Sequence, residues 1–158
     1  MRGRKSPSTT VLNLAKSLLA KHEGYRKHPY LCTAGKISIG IGRNLEDRGL
    51  SDDEIKYLFE NDVKIAYADC KRLFRDFDSI TTPARQAALI DMAMNLGGPR
   101  LTKFVNMRAA VDLRNWKGAA REMVTSSANP DEPSLWKRQV GERADRLAFV
   151  VENGRLPS

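Results

Sequence analysis

Three side chains with chemistry of their own fall in one short stretch: Glu23, Cys32 and Ser38. Glu23 stands between His22 and Gly24, where an apolar helical segment gives way to a β-prone one. A carboxyl held between a helix end and a sheet is desolvated, which favours its protonated form and suits it to act as a general acid. The same position also suits a solvated glutamate at a helix end, since charged side chains are seldom buried. Taken singly, Cys32 reads as a small buried hydrophobe, and Ser38 as the outward residue of an alternating strand. The two cysteines, Cys32 and Cys70, and the two histidines, His22 and His28, complete neither a disulfide framework nor a four-ligand zinc site. No metal and no cofactor is therefore expected, and Cys70 has no expected role beyond packing.

The elements that must position these residues follow from pattern and capping. Ser8 or Thr9 caps a helix running to about His22, with Val11, Leu12, Ala15, Leu18 and Leu19 on one face, and Gly24 ends it. From about Tyr25 to Leu45, glycines and Pro29 interrupt short β-prone pieces such as Lys36-Ile37-Ser38-Ile39-Gly40-Ile41, which predicts an antiparallel sheet of two or three strands with a turn at Ala34-Gly35. Ser51 and Glu54 form a capping box for a helix past Tyr57, Leu58 and Phe59, continuing or breaking on the way to Leu73. Thr82-Pro83 starts another helix. Its residues 84–96 are apolar on nearly every side, the mark of a buried central helix, and Gly97-Gly98-Pro99 ends it. Shorter helices are predicted over 101–107, 107–113, 115–124 and 134–151. The fold class is α+β and mostly helical: residues 1–7 a basic lead, about 8–60 a lobe of helix and sheet, about 61–155 a larger helical lobe.

Composition bounds the partners. The chain has 158 residues, of which 41% are hydrophobic and 29% charged, so it is globular material of about one domain. A net charge of +8 favours polyanions such as nucleic acid, an anionic membrane face or an acidic wall polymer. Arg2, Arg4 and Lys5 resemble the basic start of a secretion signal, but polar residues interrupt the segment from Val11 to Lys21 at helical spacing. The expectation is synthesis in a cytoplasm without a leader.

The spacing Glu23-(eight)-Cys32-(five)-Ser38, set within Gly35-Lys36-Ile37-Ser38-Ile39-Gly40-Ile41-Gly42-Arg43, resembles the phage-type lysozymes of glycoside hydrolase family 24. Their signature is Glu, eight residues, Asp or Cys, five residues, then Thr, in a glycine-rich strand. The likeness covers roughly residues 8–153. Residues 88–97 look like the family's buried helix, with Asn95 at a polar position facing the cleft. Trp136, Gln139, Arg143, Ala144 and Arg146 are similar to a later family segment, and that likeness brings Arg143 close to Glu23 to help hold it.

The resemblance implies that Glu23 protonates the glycosidic oxygen, that Cys32 positions or activates the attacking water, and that Ser38 holds it. Asn95, Gln139 and Arg143 are the implied substrate-binding or supporting residues. Two departures bear on the rate. A thiol, ordinarily titrating at about 8.5, is a poor base unless its surroundings lower that value. Serine keeps the hydroxyl of threonine but loses the methyl that restricts its rotamer. The Gly40–Gly42 pair lacks the rest of a phosphate loop and reads as a sheet bend where a sugar meets the backbone. Trp136 reads as a core anchor.

The implied function is an endolysin that hydrolyses the β-1,4 bond between N-acetylmuramic acid and N-acetylglucosamine in peptidoglycan. It would act as a monomer without cofactor, contacting anionic wall or outer-membrane lipopolysaccharide through its basic surface. It would wait in the host cytoplasm for a holin-type pore. Two alternatives compete with it. A catalytically weak wall-binding protein would explain the substitutions at Cys32 and Ser38. A small nucleic-acid-binding protein would explain the charge but not the spacing, and the basic residues are spread along the chain instead of gathered on one recognition helix, so no nucleic-acid partner is expected.

Overall fold

A computed structural model describes residues 8–80 and 82–157; the expected basic lead, 1–7, lies outside the described residues. The chain forms two compact units that divide between Ile55 and Lys56.

The first unit opens with α1 (Thr9–Glu23), whose N-terminus is satisfied by Ser8, its hydroxyl accepting from Val11 N at 3.3 Å. Gly24 ends the helix with φ of 70°. Three antiparallel strands follow, β1 (Arg26–Leu31), β2 (Ile37–Gly40) and β3 (Arg43–Asn44), ordered β1-β2-β3. Tyr30 pairs with Ser38 and Leu31 with Ile37, and a bulge separates Arg26 from Tyr30. The first hairpin closes where Cys32 N donates to Lys36 O and Gly35 N donates to Cys32 O, each at 2.9 Å. On β2 the alternation is the reverse of an apolar-in strand: Ser38 is 2% exposed while Ile37 is exposed. The reading of Ser38 as an outward residue is thereby corrected; the buried side of this strand is the one that carries its hydroxyl.

The capping box forms as the sequence indicates. Ser51 N donates to Glu54 Oε2 at 2.8 Å and Glu54 N donates to Ser51 Oγ at 3.3 Å. It starts α2 (Asp52–Leu73), a single helix of 22 residues without a break. Arg43 on β3 adds a fork onto the Glu54 carboxylate, which no local pattern announced. Arg43 and then the Ser51 amide hold the Glu54 carboxyl down at about 2 from an ordinary 4.5. A group lowered in the folded state stabilises it above the unfolded value and loses that contribution as pH falls through the folded one. The pair is part-exposed, so only a small fall in unfolding temperature is expected between about pH 4.5 and pH 2, and Glu54→Gln is expected to flatten that part of a thermal-melt pH series.

In the second unit the latter half of α2 turns Ala66, Cys70 and Leu73 into the core. A 3-10 turn at Phe77–Ser79 leads to α3 (Pro83–Leu96), capped by the Thr82 hydroxyl, which accepts from Arg85 N at 3.3 Å. Burial on α3 is confined to Ala88, Leu89, Met92 and Ala93, with Ala87 and Met94 exposed, so the helix is central but not enclosed on every side. The remainder is α4 (Gly98–Leu101), α5 (Val105–Asp112), α6 (Trp116–Val124), α7 (Leu135–Val140) and α8 (Glu142–Asn153). The break expected at Met107 falls earlier, between Leu101 and Val105, and Met107 is buried within α5. The expected helix over 134–151 is two helices, because Gly141 takes φ of 58°, outside the helical range.

Helix α8 packs against α3, α6 and α7 and so organises this core. Its last carbonyls are capped from α3: Arg85 Nε donates to Val151 O at 2.8 Å and Nη2 to Glu152 O at 2.9 Å. The guanidinium also lies 4.4 Å from the centre of the Trp116 ring. Buried Ser134 joins α6 to α7, donating to Met123 O at 2.8 Å and accepting from Lys137 N at 3.1 Å. Among the described residues no helix is long and apolar enough to cross a membrane.

Candidate active site

Glu23 is the last residue of α1, and its carboxylate lies over the β2–β3 turn. A Cβ on Gly42 would stand 2.9 Å from Glu23 Oε2 and 3.1 Å from its Cδ, so only glycine lets the carboxylate come this close. Gly42 also has φ of 71°, a conformation in which other residues are strained. Lys16, Leu19, Glu23, Ile41 and Gly42 line a cavity of about 380 Å³. Glu23 is exposed, which fits the solvated reading of a glutamate at a helix end and not the desolvated one.

Cys32 sits at the foot of the first hairpin and is half-buried. Backbone hydrogen bonds from Lys36 and Ala34 hold its thiol below its ordinary value; partial burial opposes them, and the Ser38 hydroxyl adds to them. The turn thus supplies what a thiol base needs, donors that favour its ionised form. Ser38 Oγ also reaches Lys36 O, at 3.5 Å. Cys32 and Ser38 are therefore brought together, by the antiparallel register that sets Ser38 opposite Tyr30 just before the turn.

Cys70 is the opposite case. It is fully buried in the second unit, and burial pushes its thiol up to about 12. Because the thiolate is the nucleophile, iodoacetamide at neutral pH is expected to label Cys32 in the native protein and to spare Cys70 until unfolding. Peptide mapping checks this; equal labelling of both would contradict the environments described.

Glu23, Cys32 and Ser38 belong to the first unit, and Asn95, Gln139 and Arg143 to the second. Asn95 Oδ1 accepts from the Trp136 indole at 2.8 Å, and Trp136 is 2% exposed, a core anchor as expected. Gln139 is exposed beside Trp136, at a cavity of about 490 Å³ that Arg100 and Lys103 also line. Arg143 is held by Asp91, whose Oδ1 accepts from its Nε at 3.0 Å and its Nη2 at 2.6 Å. Sequence reasoning missed Asp91, Lys16 and the Arg43–Glu54 fork, whose partners lie far apart in the chain. Among the described residues, no three His, Cys, Asp or Glu side chains gather where a metal could be held.

Among the described residues, eight helices and a small three-stranded antiparallel sheet define a lysozyme-like α+β fold. Residues 20–142 match the phage lysozyme family, and the chain belongs to it. Probable T4-type lysozymes 1 and 2 of Dictyostelium discoideum are 24% and 23% identical to it, each aligned over 92% of this chain and 98% of their own length. The pre-baseplate central spike protein of Enterobacteria phage T4 is 26% identical over 89% of this chain, which matches only 28% of that longer protein. Family and relatives together support a lysozyme-type function and suggest a glycosidase.

Proposed function

We propose that this chain is an endolysin, a muramidase of glycoside hydrolase family 24 that cuts the β-1,4 bond between N-acetylmuramic acid and N-acetylglucosamine for host lysis. The observation that carries the reading is the Cys32–Ser38 pair at the hairpin mouth, its thiol lowered by donors, in the same unit as a carboxylate laid over Gly42. Glu23 gives its proton to the glycosidic oxygen as the bond to C1 breaks. Water held by Ser38 Oγ adds to C1, and its proton passes to the Cys32 thiolate. The thiolate takes the place of the second carboxylate usual in such enzymes. Asn95, Gln139 and Arg143 are the proposed substrate-binding or supporting residues.

The net charge of +8 suits an anionic wall or the lipopolysaccharide of an outer membrane. In this account the enzyme acts as a monomer, accumulates in the host cytoplasm and reaches the wall through a separate holin-type pore. The test is purified peptidoglycan treated with the protein, scored in parallel for turbidity, new reducing ends and new amino groups. Clearing with reducing ends and no amino groups is the expected result. Amino groups alone would make the protein a cleaver of peptide cross-links, and binding without clearing would make it a wall-binding protein.

A further inference from the structure

Three anchors meet on Arg43. Its Nη1 donates to Glu54 Oε2 at 2.7 Å and to Gly49 O at 3.1 Å, and its Nη2 donates to Glu54 Oε1. Glu54 is itself fixed by the amide of Ser51 at 2.8 Å. The backbone of Arg43 pairs with Ile39 across the hairpin, so Arg43 closes the turn through Gly40, Ile41 and Gly42. That turn is the wall on which the Glu23 carboxylate rests, and a Cβ on Gly42 would stand 2.9 Å from its Oε2. The contacts therefore run without a gap from Glu54 through Arg43 and Gly42 to Glu23.

We propose that Arg43 is a positioning residue for Glu23, its fork on Glu54 and the Gly49 carbonyl holding the Ile41–Gly42 turn at the distance the acid requires. The proposal rests on the reading of Glu23 as the acid. Lysine cannot replace the fork, because an ammonium is a point charge that cannot make two parallel bonds to a carboxylate. Partly exposed ion pairs add little to stability, and here the side chains are 25% and 38% exposed. The fork is thus expected to act on geometry more than on folding. A displacement of about 1 Å at a reacting group costs about 10²-fold in rate.

Arg43→Lys keeps the charge, so any change it brings at Glu23 comes from geometry. In the full chain, with a soluble glycan-chain substrate, it is expected to lower kcat by about 10²-fold with little change in KM. The NMR signals of the Gly42 amide and of the Glu23 carboxyl carbon should both move. Glu54→Gln, which opens the fork from the other side, should reproduce both shifts. Unmoved signals of the Gly42 amide and the Glu23 carboxyl carbon in folded Arg43→Lys would overturn the proposal, as would a rate that falls only with the unfolded fraction. Full activity in Glu23→Gln would remove the acid assignment alone, and the two NMR readouts would then decide whether Arg43 positions that carboxyl.

Discussion

Replacement of Glu23 by glutamine is expected to lower reducing-end release by about 10²–10⁴-fold, the range contributed by a positioned general acid. Glutamine has the shape of the carboxylic acid but no proton to give to the leaving oxygen. Glu23 is exposed at the end of α1 and makes no buried ion pair, so the substitution should leave the unfolding temperature close to that of the parent protein. Binding to peptidoglycan should also persist, because the cavity walls at Lys16, Leu19, Ile41 and Gly42 are unchanged. A loss of activity with retained binding separates an acid from a residue that merely contacts substrate.

Gly42→Ala is expected to act on both stability and rate. An added methyl would stand 2.9 Å from Glu23 Oε2 and 3.2 Å from its Cγ, so the carboxylate must shift. The backbone, at φ of 71°, adds about 1–2 kcal/mol of strain for any residue with a Cβ. Displacing the acid by about 1 Å is enough to cost about 10²-fold. Gly49→Ala separates the two effects, since Gly49 has φ of 63° but nothing within 4 Å of the added Cβ. Comparable destabilisation in both variants, with the larger rate loss in Gly42→Ala, is the expected pattern. Equal rate losses would attribute the effect to strain alone.

Features that depend on neighbours in sequence were legible, and those that depend on distant partners were not. Ser8, Ser51 with Glu54, and Thr82 each cap a helix at the expected place, because a cap is satisfied within three residues. The sheet could be seen in the glycines that bound it and in the alternation along β2. The face it buries could not, since Ser38 inside and Ile37 outside reverse the hydrophobic expectation. The continuous α5 through Met107 and the break at Gly141 are set by packing and by one backbone angle, neither of which a periodic pattern records.

At the site, the motif pointed to Glu23, Cys32 and Ser38. The spacing alone could not show that the turn amides of Ala34 and Lys36 lower the thiol. Nor could it reveal the Arg43 fork, whose two ends are eleven residues apart across a loop. A charged pair at that separation has no periodic signature. The same holds for Asp91 and Arg143, which meet only because α3 and α8 pack together.

The most direct test of the central claim is the chemistry of the ends the enzyme leaves. Peptidoglycan digested to completion, reduced with borohydride and hydrolysed in acid, should yield muramitol as the new reduced sugar, the product of adding water to C1 of N-acetylmuramic acid. Reduced glucosamine in its place would mean that the other glycosidic bond is cut. Anhydro-muramic ends without reducing sugar would mean that no water is added, and the roles given to Cys32 and Ser38 would be wrong.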